Sequence, residues 1–217
     1  MTPRAVIFDC DGVLVDSEPA AFDLLEQDFA RYNLPLPRAD LEALFIGGTV
    51  KGLWQQARAM GATLPDDWVD DFYDRLYARL ALGTPLIAGI LSVLDALDAA
   101  DIAYAVGSNG SDRKMQVTLG QHPALLARLQ GRLFSGQTLG RPKPAPDLYL
   151  HAAQALGQRP QDCVVIEDSA TGARAAQAAG IRCFGYVTHG DGAALAAEGA
   201  EIFTDMAALP GLLGLAA

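Results

Sequence analysis

The chain has 217 residues, enough to bury a substantial core and too many for a peptide scaffold. With 51% hydrophobic and 19% charged residues and no long polar or repetitive tract, it is expected to fold along its whole length. A formal net charge of −10 with no run of Lys or Arg argues against a nucleic-acid partner, and an anionic substrate can enter only where local cations or a bound metal reverse the field.

The first apolar run, residues 5–8, is cut by Asp9 and Asp11, too early for a signal peptide or a membrane span. No membrane partner and a cytoplasmic setting are therefore expected. Cys10, Cys163 and Cys183 are odd in number and lack the close spacing of a zinc or redox site, so they are expected as reduced thiols in or near the core. From about residue 17 to residue 82 the pattern is helical and holds nine of the sixteen aromatic residues. Phe22, Leu25, Phe29 and Tyr32 form one stripe, and Trp68, Phe72, Leu76 and Leu80 form another. Pro35, Pro37, Gly61 and Pro65 punctuate this segment.

Three further apolar runs follow, at 103–106, 163–166 and 181–184, and read as buried parallel strands. Helices are predicted between them over 147–156, opened by Pro146, and over 170–179, closed by Gly180. Strand alternating with helix predicts an α/β doubly wound parallel sheet made of residues 1–16 and 83–217, with 17–82 inserted as a helical unit.

In such a sheet, ligands bind beyond the carboxyl ends of the strands. There the sequence supplies Asp9 and Asp11, then Ser108 and Asn109, then Glu167 and Asp168, with Lys143 in the loop before the 147–156 helix. Singly, an Asp at a strand end is often a helix cap and a Ser-Asn-Gly run is often a turn. Together, four carboxylates crowded at one edge make sense around a cation, and an all-oxygen ligand set points to Mg²⁺. The candidate metal ligands are Asp9, Asp11, Glu167 and Asp168.

Residues 7–17, IFDCDGVLVDS, resemble the first motif of the haloacid dehalogenase superfamily. Residues 106–110, 143–147 and 165–172, the last reading VIEDSATG, resemble its other three. The 17–82 segment is similar in place and size to the cap of the phosphoglycolate phosphatase and β-phosphoglucomutase branch. This resemblance implies a Mg²⁺-dependent phosphatase acting on a small phosphorylated metabolite, a sugar or sugar-acid phosphate. Asp9 is then the nucleophile, Asp11 the acid and base, Ser108 and Lys143 the phosphoryl holders, and Asp168 a metal ligand. Gly47, Gly48 and Thr49, with Lys51 close by, resemble the cap loop that reads the leaving group, although a plain turn between helices would look the same. A mutase would share the core motifs, but that branch carries a His where Ala21 stands here. A dehalogenase would lack the second carboxylate, and a phospho-accepting receiver module would lack the helical insertion. The oligomeric state is left open.

Overall fold

The computed structural model describes residues 2–45 and 49–215. After β1 (Ala5–Phe8) the chain forms four helices in succession, α1 (Glu18–Arg31), α2 (Arg38–Phe45), α3 (Val50–Ala59) and α4 (Trp68–Ala81). They share a hydrophobic core of their own, built on Phe22, Leu25 and Phe29 from α1 and Trp68, Phe72, Leu76 and Leu80 from α4. Trp68 packs tilted against Phe72 with ring centroids 4.9 Å apart, and each large side chain withdrawn from water here contributes roughly 1.5–3 kcal/mol. Asp28 is buried in this core, where it accepts from Trp68 Nε1 at 2.7 Å and from Arg75 at 2.6 and 3.0 Å, so its charge is compensated.

The chain enters and leaves this layer side by side. Asp16 N donates to Pro85 O, and Ile87 N donates to Leu14 O, both at 2.9 Å. Beyond that crossing come α5 (Ile90–Ala99), β2 (Ala103–Ser108), α6 (Asp112–Leu119), α7 (Pro123–Arg128), β3 (Leu133–Ser135) and α8 (Gly136–Leu139). The chain finishes with α9 (Asp147–Ala155), β4 (Cys163–Glu167), α10 (Ala170–Ala178), β5 (Arg182–Tyr186), α11 (Ala193–Ala197), β6 (Glu201–Phe203) and α12 (Leu209–Leu212). Among the described residues no helix is long and apolar enough to cross a membrane.

The strands pair in parallel in the order β3-β2-β1-β4-β5-β6. β1 lies near the middle, with Ile7 in register between Ala105 and Val165, and all four of its residues are buried. Its unbroken apolar sequence follows from having both faces covered. Val6 and Phe8 join Leu94, Leu97, Met115 and Leu119 on the α5 and α6 side, whereas Ala5 and Ile7 join Tyr149, Ala152, Ala173 and Ala176 on the α9 and α10 side.

β3 and β6 went unpredicted because each is three residues long, at a sheet edge and mostly not buried, so neither presents an apolar run. The reading of the other strands differs at their ends, as β2 continues to Ser108 and β5 to Tyr186.

Candidate active site

Asp9 extends the β1–β4 ladder by one bond, its N donating to Ile166 O at 2.9 Å, so its side chain leaves the sheet at the carboxyl edge. The backbone then turns sharply at Gly12, whose φ is +74°, with Leu14 N and Val15 N both donating to Cys10 O. A Cβ on Gly12 would stand 1.9 Å from Asp168 Oδ2. The bare α-carbon therefore meets two demands, a left-handed backbone and room for the carboxylate delivered by β4.

Lys143 joins the first and fourth strands. Its Nζ donates to Asp9 Oδ1 at 2.5 Å and to Glu167 Oε1 at 2.6 Å, and lies 4.9 Å from the centroid of the Tyr149 ring. Tyr149 OH donates to the same Glu167 oxygen at 2.6 Å. Glu167 Oε2 accepts from Ser169 Oγ at 2.8 Å, Ser169 N at 3.0 Å and Asp168 N at 3.1 Å. Glu167 is wholly buried, and a Cβ on Gly172 would stand 1.7 Å from its Oε1, so the glycine in the first turn of α10 makes space for it. Asn109 fixes the Lys143 loop from both sides, its Oδ1 accepting from Lys143 N at 2.8 Å and its Nδ2 donating to Lys143 O at 3.2 Å. Ser108 is buried at the end of β2, and its Oγ accepts from Gly110 N at 2.9 Å.

Burial pushes the Asp9 carboxyl up to about 7; Lys143 opposes this, while Glu167 and Asp11 add to it. Burial, with Glu167 and Asp9 beside it, drives Asp168 well above the usual carboxylate range. Burial would also raise Glu167, but the Lys143 charge and the hydrogen bonds from Lys143, Tyr149 and Ser169 hold it below its ordinary value. Burial likewise acts to raise Asp11 and is overcome by Lys114 and Ser17.

One carboxylate oxygen each from Asp9, Glu167 and Asp168 lie within 4.8 Å of one another, a spacing that can hold a metal ion. Asp11, placed by the sequence among the metal ligands, stands outside this group. Its Oδ1 instead accepts from Ser17 Oγ and pairs with Lys114 Nζ at 2.8 Å. Glu167 has both oxygens engaged by protein donors, whereas the Asp168 carboxylate accepts no hydrogen bond among the described residues. Four carboxylates, Asp9, Asp11, Glu167 and Asp168, thus face two ammonium groups, Lys114 and Lys143. Glu18 adds a fifth carboxylate on the cleft wall, so the site carries an excess of negative charge that a divalent cation offsets, and an oxygen-only donor set fits Mg²⁺.

Above these groups the sheet and the helical layer enclose a cleft that opens to solvent. Asp9, Asp11, Ser108, Asn109, Lys143 and Asp168 line it from the sheet, and Glu18, Ala21, Thr49, Tyr73 and Leu76 from the helices. Gln137 bridges the two sides, donating to Asn109 O at 2.9 Å and to Tyr73 OH at 3.3 Å. Thr49 caps α3, its side chain accepting from Gly52 N at 3.1 Å, while Lys51 is exposed and does not line the cleft. Gly47 and Gly48 lie outside the described residues.

Ser17, Glu18, Lys114, Gln137 and Tyr149 escaped the sequence reading. Tyr149 and Lys114 sit inside helices, where an aromatic residue reads as core and a lone Lys as solvated surface. The one available signal was Ser111, a helix cap three residues before Lys114.

The sequence profile of haloacid dehalogenase-like hydrolases matches residues 3–180. The chain is 30% identical over 211 residues to the 6-phosphogluconate phosphatase of Escherichia coli K12, covering 96% of this chain and 94% of that one. It is 29% identical to the phosphoglycolate phosphatase of Xylella fastidiosa 9a5c, over 87% of this chain and 84% of that one. Among solved structures, a haloacid dehalogenase family hydrolase from Deinococcus radiodurans R1, with bound phosphate and sodium, superposes with a TM-score of 0.80 at 34% identity, covering 98% of this chain and 96% of that one.

Proposed function

The chain belongs to the haloacid dehalogenase-like hydrolases and is a phosphatase, and from that premise we propose that it hydrolyses a small sugar or sugar-acid phosphate in two displacements at Asp9. The observation that carries this is the Asp9 carboxylate, buried at the floor of the cleft with Lys143 Nζ at 2.5 Å and Asp168 within ligand range of a shared cation. A phosphate ester seated there meets a nucleophile and a fixed positive charge at the same point.

In the first displacement an Asp9 oxygen bonds to phosphorus, the bond from phosphorus to the ester oxygen breaks, and Asp11, which takes up a proton as the anionic ester replaces water beside it, gives that proton to the leaving oxygen. In the second, water attacks the aspartyl phosphate, Asp11 takes its proton, and inorganic phosphate leaves as the Asp9 carboxylate is restored. Lys143 and Ser108 hold the phosphoryl oxygens throughout. Asp9 and Asp168 would hold Mg²⁺, with Glu167 braced behind them as the acceptor that fixes Lys143. When bound, the ion offsets the charge gathering on the phosphoryl oxygens. Ala21 lines the cleft and offers no titratable group, which favours water over a sugar hydroxyl as the acceptor.

The test is phosphate release over a panel of sugar phosphates, sugar-acid phosphates and phosphoglycolate with Mg²⁺ present. Release from at least one sugar or sugar-acid ester is expected, together with a drop of about 10⁴-fold or more in Asp9→Asn, because an amide is a poor nucleophile. Turnover that persists in Asp9→Asn, or conversion of a sugar phosphate to its isomer without phosphate release, would overturn the proposal.

A further inference from the structure

Lys114 lies outside the four motifs, yet among the described residues its one ion pair is with Asp11, at 2.8 Å. The backbone that presents it is held in place. Ser111 caps α6, its Oγ accepting from Lys114 N at 3.1 Å, and Tyr77 OH from α4 lies 2.7 Å from the same Oγ. The side chain then crosses Gly110, where an added Cβ would stand 3.3 Å from Lys114 Cδ, 3.1 Å from Ser108 Oγ and 3.6 Å from Asp11 Oδ2. Glycine at this position lets the lysine pass over the β2 loop into the cleft.

The Lys114 and Asp11 side chains are 16% and 22% exposed. A pair so far withdrawn from water returns little net stability, because desolvation offsets the attraction. Holding the fold together therefore does not account for it, and orientation does. With Ser17 bonded to the same Oδ1, Lys114 leaves the Asp11 carboxylate little freedom to rotate.

We infer that Lys114 is a positioning residue, whose ammonium fixes the Asp11 carboxylate in the orientation from which it serves the leaving-group oxygen. This rests on the phosphatase reading above, with Asp11 as acid and base. Lys114 itself transfers no proton and makes no hydrogen bond to Asp9, Glu167 or Asp168. Its removal should therefore be felt in proportion to how much the leaving group needs Asp11.

That dependence is measurable with two esters and Mg²⁺. The phenolate of 4-nitrophenyl phosphate departs without a proton, whereas the alkoxide of a sugar phosphate needs one. In Lys114→Met the ratio of kcat/KM on the fastest sugar ester of the panel to kcat/KM on 4-nitrophenyl phosphate, which reports the first displacement and not the water attack common to both esters, should fall about 10–100-fold, the range of a displaced general acid. KM for the sugar ester should move by less than about threefold, and Lys114→Arg should recover part of the ratio. Equal losses of kcat/KM on both esters, or a change confined to KM, overturn the inference. If Lys114→Met is misfolded by circular dichroism, Lys114→Gln is read in the same way. Failure of the underlying reading is seen earlier and separately, as a wild-type protein that releases phosphate from no sugar ester.

Discussion

Gly12 and Gly131 have nearly the same backbone, with φ of +74° and +73°, and differ in what surrounds them. A Cβ on Gly131 meets nothing within 4 Å, whereas one on Gly12 runs into the Asp168 carboxylate. Alanine at either position costs about 1–2 kcal/mol of backbone strain. At Gly12 it must also displace Asp168 or tilt the turn that carries Asp11. Gly12→Ala is therefore expected to lower kcat about 100-fold, the penalty for a misplacement on the order of 1 Å, and to weaken the Mg²⁺ dependence of the rate. Gly131→Ala should lose stability by a similar amount and keep its rate. Initial rates against Mg²⁺ concentration for the two variants, beside their melting temperatures, check this; equal rates would mean that Asp168 moves aside without consequence.

Helices α1 to α4 bury their apolar stripes mainly against each other, in a cluster distinct from the two that cover the sheet. A hole in that cluster should be felt locally. Phe72 is fully buried against Trp68, and Phe72→Ala is expected to destabilise by about 3–5 kcal/mol through lost contacts and the cavity left behind. Amide exchange should quicken chiefly over residues 18–81 and hardly in β1 and β4; uniform acceleration over both would show that layer and sheet unfold as one unit. These stripes were legible because a helix repeats its buried face, just as β1 and β4 were legible because a strand covered on both sides is apolar throughout. β3 and β6 have neither property. The same distinction runs through the site. Asp9, Ser108 and Asp168 could be found because each ends or follows a visible strand, whereas Lys114 enters the cleft from a helix and Tyr149 braces Glu167 beneath it from another, contacts that sequence spacing does not encode.

Across the whole molecule, the crowding of carboxylates at one sheet edge couples folding to both protons and metal. Asp9 and Glu18 are each raised to about 7, and Asp168 well above its ordinary value, in every case first by burial. In the unfolded chain these groups release their protons near pH 4. Between there and about pH 7 the folded metal-free protein holds protons that the unfolded chain has lost, so the stability these groups contribute is fully present below pH 4 and is lost as pH rises through this window. In the free protein, with neither substrate nor metal, Asp11 and Glu167 are lowered and Lys143 and Lys114 raised, so these four stay charged across the window and do not reverse the sign. The net charge of −10 adds general repulsion in the same direction. A divalent cation competes with these protons for the same oxygens, so its stabilising effect should grow as the protons leave. The expected outcome is a metal-free melting temperature that is lower at pH 8 than at pH 5.5, and a rise on adding Mg²⁺ that is several degrees larger at pH 8, against NaCl of matched ionic strength. Asp168→Asn should remove most of the Mg²⁺-specific rise while leaving the salt effect. A Mg²⁺ shift of equal size at both pH values, or one that NaCl reproduces, would mean that the cation screens surface charge and does not occupy the cluster of Asp9, Glu167 and Asp168.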